Sequence, residues 1–212
     1  MLTIYALTWI GVLAAQISPG PNLAAVASVG LAQGRHPALF VVAGISSGML
    51  VWSAATALGL GALIEAVPLS LLVLKIAGGS YLLYLGIKAA RTTLRGNGPT
   101  TITPDAQMLD SRSAWRRGLL VVLTNPKAAL MWAAVASFLF GQGLSALHVL
   151  GFGPLGAFSG LVIYGTYALL FSTGVAMRGY VRFSIWVEGV FAAAFSAMGV
   201  SLLWSGLREA QK

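Results

Sequence analysis

Apolar side chains fill long unbroken stretches of this chain instead of alternating with polar ones. Residues 1–34, 36–64, 128–177 and 189–207 contain no charged side chain, and 66–87 contain only Lys75. About 20 apolar residues in a helix cross the ~30 Å hydrocarbon core of a bilayer. Only helices and closed barrels satisfy their backbone there, and continuous rather than alternating hydrophobicity selects helices. The pattern predicts an all-α polytopic membrane protein with six transmembrane helices, at roughly 3–31, 38–63, 68–89, 117–140, 149–175 and 187–207. The connections are expected at Gln33–Pro37, Glu65–Pro68, Arg91–Arg116, Gly141–His148 and Arg178–Trp186.

Composition sharpens this. Of 212 residues 58% are hydrophobic and 8% charged, against about 25% charged in soluble domains; the mean hydropathy is +0.85. Soluble enzymes, nucleic-acid binders and disordered chains are excluded, and the length suits one domain. With no cysteine, disulfides, thiolate metal sites and thiol redox chemistry are excluded too. The net charge of +8 follows from where the cations lie. Arg35, Lys88, Arg91, Arg95, Arg112, Arg116, Arg117, Arg178 and Arg182 fall in the first, third and fifth connections, and Arg208 and Lys212 on the opposite side. Cytoplasmic loops collect Lys and Arg, so the odd loops are expected inside and both termini outside. Val12-Leu13-Ala14-Ala15-Gln16 is a weak match to a signal-peptide cleavage site, but no basic segment precedes it, and cleavage is not expected.

The 91–116 connection is the one extended polar stretch. It divides a single transmembrane domain, 1–212, into a half at 1–90 and a half at 117–212. Three spans is an odd number, so the halves enter the membrane in opposite senses, as in transporters built from 3+3 inverted repeats. Each half opens with a broken helix. Ser18-Pro19-Gly20-Pro21-Asn22 removes two backbone donors around a glycine. Thr124-Asn125-Pro126-Lys127 places proline just after a capping residue. Measured from Arg35 and Arg117 at 1.5 Å per residue, the two breaks lie roughly 21 and 14 Å deep, near mid-membrane.

Unpaired backbone at that depth must line protein or a water-filled cavity. Helix starts near Asn22 and Lys127 favour a carboxylate, and carbonyls at the helix ends near Ile17 and Leu123 suit an ammonium. Together they describe a free amino acid. The candidate substrate-binding residues are Ser18, Pro19, Gly20, Pro21, Asn22, Thr124, Asn125, Pro126 and Lys127. Lys127 leads, because a mid-membrane lysine is costly and by default functional.

The residues also resemble a known family. Pro19-Gly20-Pro21-Asn22, Gly34-Arg35, Gly44 and Gly48 are similar to the opening of the LysE/RhtB amino-acid exporters. Lys75-Ile76-Ala77-Gly78-Gly79-Ser80-Tyr81-Leu82-Leu83-Tyr84-Leu85-Gly86 resembles that family's third span, and Gly118 with Leu123-Thr124-Asn125-Pro126-Lys127 its fourth. The resemblance implies a LysE-type translocator in the bacterial inner membrane that exports amino acids or derivatives by proton antiport. Some members carry an acidic residue in the second span; this chain has none between Arg35 and Glu65, which disfavours basic substrates. The expected cargo is a small neutral amino acid.

Other features carry less. Lys75 is expected to snorkel to the outer surface, Arg35 to anchor topology, and Glu188 to pair with a nearby cation. His148 has no His or Cys partner in the sequence that would make a metal site. Gly44, Gly48, Gly78, Gly79, Gly151, Gly153, Gly156 and Gly160 read as close helix packing. Trp115, Trp186 and Trp204 read as interfacial anchors, and Trp52 and Trp132 as pocket walls or packing. No carboxylate pair, triad, metal cluster or phosphate loop is visible in the sequence. No catalytic residue, cofactor or metal is therefore expected, and an intramembrane enzyme, a structural subunit and an exporter of another small solute or cation are the alternatives. The expected partners are the amino acid, the proton and the bilayer, not nucleic acid; a homo-oligomer is compatible with the chain.

Overall fold

A computed structural model describes residues 2–67, 69–95, 108–171 and 175–210. All its elements are helices: α1 (Leu2–Ile17), α2 (Pro21–Gln33), α3 (Arg35–Ala66), α4 (Leu69–Arg95), α5 (Ser111–Thr124), α6 (Pro126–Gly141), α7 (Ala146–Phe171) and α8 (Val175–Ala210). Three of them, α3, the 69–91 part of α4, and α7, are long and apolar enough to cross a membrane. The pairs α1–α2 and α5–α6, bent by 44° and 59°, pass the same test as broken spans. The chain is a polytopic all-α membrane protein.

Local chemistry explains the joints. Gly34, at φ +83°, makes the single-residue turn from α2 into α3 in a conformation that other residues resist. Asp110 caps α5 by accepting the Ser113 N–H at 3.0 Å. Hydrogen bonds from Ser113, side chain first and backbone second, hold the Asp110 carboxyl below its usual range. Pro154 sits inside α7 and cannot bond the carbonyl of Leu150 four residues back. The Ser53 hydroxyl on α3 donates to that carbonyl at 3.3 Å, so α7 runs on unbroken.

The last connection differs from expectation. Arg178–Trp186 is not a loop but part of α8, whose 36 residues measure about 54 Å. The clustered charges marked the end of the apolar stretch, and Arg and Glu are good helix formers that let a helix continue past it. Residues 172–174, between α7 and α8, lie outside the described residues. The central connection also shrinks, because α4 continues to Arg95 and α5 begins at Ser111; most of it, 96–107, lies outside the described residues, as do the side chains of Arg178, Arg182 and Glu188.

Helix α3 packs against both α5 and α7, and α4 lies along α8. Glycines allow these contacts. A Cβ on Gly199 would lie 2.8 Å from the Gly79 carbonyl oxygen, and one on Gly79 would lie 3.0 Å from that of Gly199. Gly151, by contrast, has nothing within 4 Å of its Cβ position and is exposed, so the packing expectation does not hold there.

Lys75 also differs from expectation. It does not reach outward into water: it is buried, and its ammonium pairs with Glu209 near the end of α8. Its stem lies against Gly141 and Gly206. Glu209→Gln leaves that ammonium without its carboxylate and is expected to cost about 1–2 kcal/mol, less than a fully buried pair because Glu209 is half exposed. Adding Lys75→Met removes the orphaned charge and is expected to restore most of the loss. Thermal unfolding of the single and double variants in detergent checks both, and a double variant no more stable than the single would refute the pairing argument.

Candidate binding site at the two helix breaks

Both breaks open onto one cavity of about 30 Å³. From the first break Gln16, Ser18, Gly20, Asn22 and Leu23 line it; from the second, Val122, Asn125, Lys127 and Ala128; Met131 and Trp132 of α6, Met49 of α3 and Tyr164 of α7 complete the wall. A buried water needs roughly 10–15 Å³ on this measure, so the cavity has room for about two waters.

The breaks are tied to each other. Asn125 Nδ2 donates to Asn22 Oδ1 at 3.1 Å, and Asn22 Nδ2 reaches the Tyr164 hydroxyl at 3.5 Å. Asn125 Oδ1 accepts the Lys127 N–H at 2.9 Å, capping α6. The start of α2, with Gly20 at its cap, has no side-chain cap. Lys127 reaches back across the cavity: its Nζ donates to Ser18 Oγ at 2.8 Å and to the Pro19 carbonyl at 3.3 Å.

The prolines that start α2 and α6 each leave a carbonyl four residues earlier without its helical donor. Pro21 does this to Ile17, and the Tyr167 hydroxyl of α7 donates to the Ile17 oxygen at 3.2 Å. Pro126 does it to Val122, and Trp52 Nε1 of α3 donates to the Val122 oxygen at 3.0 Å. The carbonyls expected to attract a substrate ammonium are therefore met by donors of the protein: Tyr167 at Ile17, Lys127 at Pro19 and Trp52 at Val122.

Residues 7–206 match the family model for LysE type translocators. The chain belongs to that family. Over 191 residues, covering 90% of this chain and 93% of the relative, it is 30% identical to the threonine efflux protein of Salmonella typhi. It is 29% identical over 191 residues to the threonine efflux protein of Escherichia coli K12, with the same shares covered. An uncharacterized membrane protein of Pseudomonas aeruginosa is 31% identical over 206 residues, which are 95% of this chain and 92% of that one. No solved structure matches.

In this translocator Ser18, Gly20, Asn22, Asn125 and Lys127 come together at the cavity, with Pro19 joined to them through its carbonyl. Pro21 and Pro126 start α2 and α6, and neither lines the cavity. Thr124 is not brought to it: its side chain is exposed and its hydroxyl bonds back to the Leu120 carbonyl at 2.7 Å. Gln16, Tyr164 and the methionines Met49 and Met131 escaped the sequence reading. Gln16 carried a signal, an amide in an otherwise charge-free run two residues before Ser18; Tyr164 arrives from a different span and carried none.

Proposed function

We propose that this translocator exports small neutral amino acids from the bacterial cytoplasm across the inner membrane, in exchange for protons, through six spans of which α8 makes the sixth. The carrying observation is that Lys127 extends from one helix break onto the carbonyl end of the other, across a cavity lined by both. The substrate carboxylate sits at the uncapped start of α2, where backbone N–H groups and the helix dipole favour an anion. Lys127 holds the place at the Pro19 carbonyl that the substrate ammonium takes when it arrives. Substrate binding displaces the lysine from Ser18 and Pro19. Lys127 is also the group proposed to exchange the proton, taking it up on the outer side and giving it up as the ammonium replaces it. The threonine efflux proteins among the relatives make threonine the first substrate to test. A basic amino acid would bring a second cation, its side chain, into the cavity beside its own ammonium, and no Asp or Glu is among the residues lining the cavity; an unpaired charge in low dielectric costs several kcal/mol.

The fold supports the 3+3 inverted repeat. The donor for the break in the first half comes from α7, in the second; the donor for the break in the second half comes from α3, in the first. Exchange of equivalent helices between halves is what a two-fold axis in the membrane plane requires.

Counterflow in proteoliposomes with a panel of labelled amino acids tests the function. Threonine, serine and other small neutral residues are expected to exchange and lysine and arginine not to; exchange of none would overturn the amino-acid reading. Orientation is tested separately, since the native chain has no cysteine. Ala210→Cys is expected to react with an impermeant maleimide on intact cells and Ser111→Cys to be protected. The reverse pattern would invert the topology.

A further inference from the structure

Two residues that line the cavity each carry a buried polar atom with no hydrogen-bond partner: Gln16 Oε1 and Trp132 Nε1. Both side chains line the cavity and are at most 2% exposed. The orientation of the Gln16 amide follows from its surroundings. Its Nε2 donates to the Gly156 carbonyl at 2.8 Å, and a carbonyl only accepts, so the nitrogen must face Gly156 and the oxygen is left over. The Trp132 indole N–H is a donor only. The two side chains approach the same glycine: Gln16 Nε2 bonds the Gly156 carbonyl, and a Cβ on Gly156 would lie 3.1 Å from carbons of the Trp132 ring. The absence of a side chain at Gly156 lets the indole and the amide approach the same stretch of α7.

An orphan acceptor and an orphan donor on one small cavity are costly to keep. They are satisfied together by a group that both gives and accepts a hydrogen bond at one atom. A methyl does neither, a carboxylate has no proton for Gln16, and an ammonium has no lone pair for Trp132. A hydroxyl does both. Ser18, Asn22, Asn125 and Lys127, the other polar side chains at the breaks, already bond one another or Tyr164. We propose that Gln16 and Trp132 form a subsite for the side-chain hydroxyl of the substrate, the hydroxyl donating to Gln16 Oε1 and accepting from Trp132 Nε1. The translocator then selects hydroxy amino acids over their isosteres. This rests on the amino-acid reading above and adds to it the two side chains that choose among neutral substrates.

Pairs of equal shape test it: threonine against valine and serine against alanine, compared by counterflow in proteoliposomes. The native carrier is expected to favour each hydroxylated member by at least about tenfold, because the isostere leaves both buried groups unmet. Trp132→Phe deletes the donor and keeps an aromatic ring. Gln16→Leu deletes the acceptor, and the Ser159 hydroxyl still reaches the Gly156 carbonyl at 3.1 Å. In either variant the threonine-to-valine ratio is expected to fall to within about threefold of unity. Parity within both pairs in the native carrier would overturn the subsite without touching the amino-acid reading, and this comparison stands even where a variant fails to insert. A native preference that survives both substitutions would also overturn it. No exchange of any amino acid would instead bring down the transport reading and the subsite with it.

Discussion

Export falls by about 10- to 100-fold when Lys127 is replaced by methionine, at equal abundance in the membrane. The residue donates to Ser18 Oγ and the Pro19 carbonyl, and hydrogen bonds from a charged group contribute roughly 1.5–3 kcal/mol each. Methionine has similar length and no charge, so the cavity wall stays filled while the ammonium is lost. Lys127→Arg is expected to restore activity only in part, since a planar guanidinium does not fit a place shaped for a compact ammonium close to Gly20, whose Cβ position lies 3.7 Å from Lys127 Nζ. The effect should be greater on transport driven by a pH gradient than on counterflow, if the lysine also exchanges the proton. Counterflow and gradient-driven export measured side by side check both expectations. Full activity of Lys127→Met in the two assays would reduce the lysine to an anchor.

The second large effect concerns the fold. Gly118→Ala is expected to abolish most folded protein, and Gly44→Ala likewise. A Cβ on Gly118 would lie far inside van der Waals contact distance of the Val41 carbonyl oxygen and 3.0 Å from the Ile45 nitrogen; one on Gly44 would collide with the Trp115 carbonyl and lie 2.7 Å from the Leu119 nitrogen. The neighbours are backbone, not flexible side chains, so α3 and α5 must separate along their contact. Overpacking a well-packed core costs about 1–3 kcal/mol and more where nothing can yield. The control is Gly151→Ala, which meets nothing and is expected to be silent. Monodispersity after detergent extraction and the unfolding temperature read all three. A Gly118→Ala protein as stable as the Gly151→Ala one would refute the close approach of these helices.

These two sites show what can be read from the sequence and what cannot. The breaks were legible because proline cannot donate a backbone hydrogen bond, whatever surrounds it. Pro21 and Pro126 therefore announced their joints, and Asn125 and Lys127 came with them. Gly44 and Gly48 were legible as glycines recurring in apolar runs, but so was Gly151, and only the facing helix decides between them. Thr124 was misjudged because a hydroxyl in a helix readily bonds the carbonyl four residues back, as it does here with Leu120. Lys75 was read as reaching outward because its partner, Glu209, is 134 residues away. Gln16, Trp132 and Tyr164 meet at the cavity from three helices, and no local pattern links them.

The donors at the two breaks also imply an order of events during synthesis. Trp52 precedes Val122 by 70 residues, so the second break reaches the membrane with its partner already made. The first does not: Tyr167 follows Ile17 by 150 residues. The opening helix is thus complete only when α7 of the growing chain supplies the hydroxyl that meets its broken end. A polypeptide released before that point lacks this hydroxyl, and this gives quality control a simple chemical mark by which to tell a truncated carrier from a finished one.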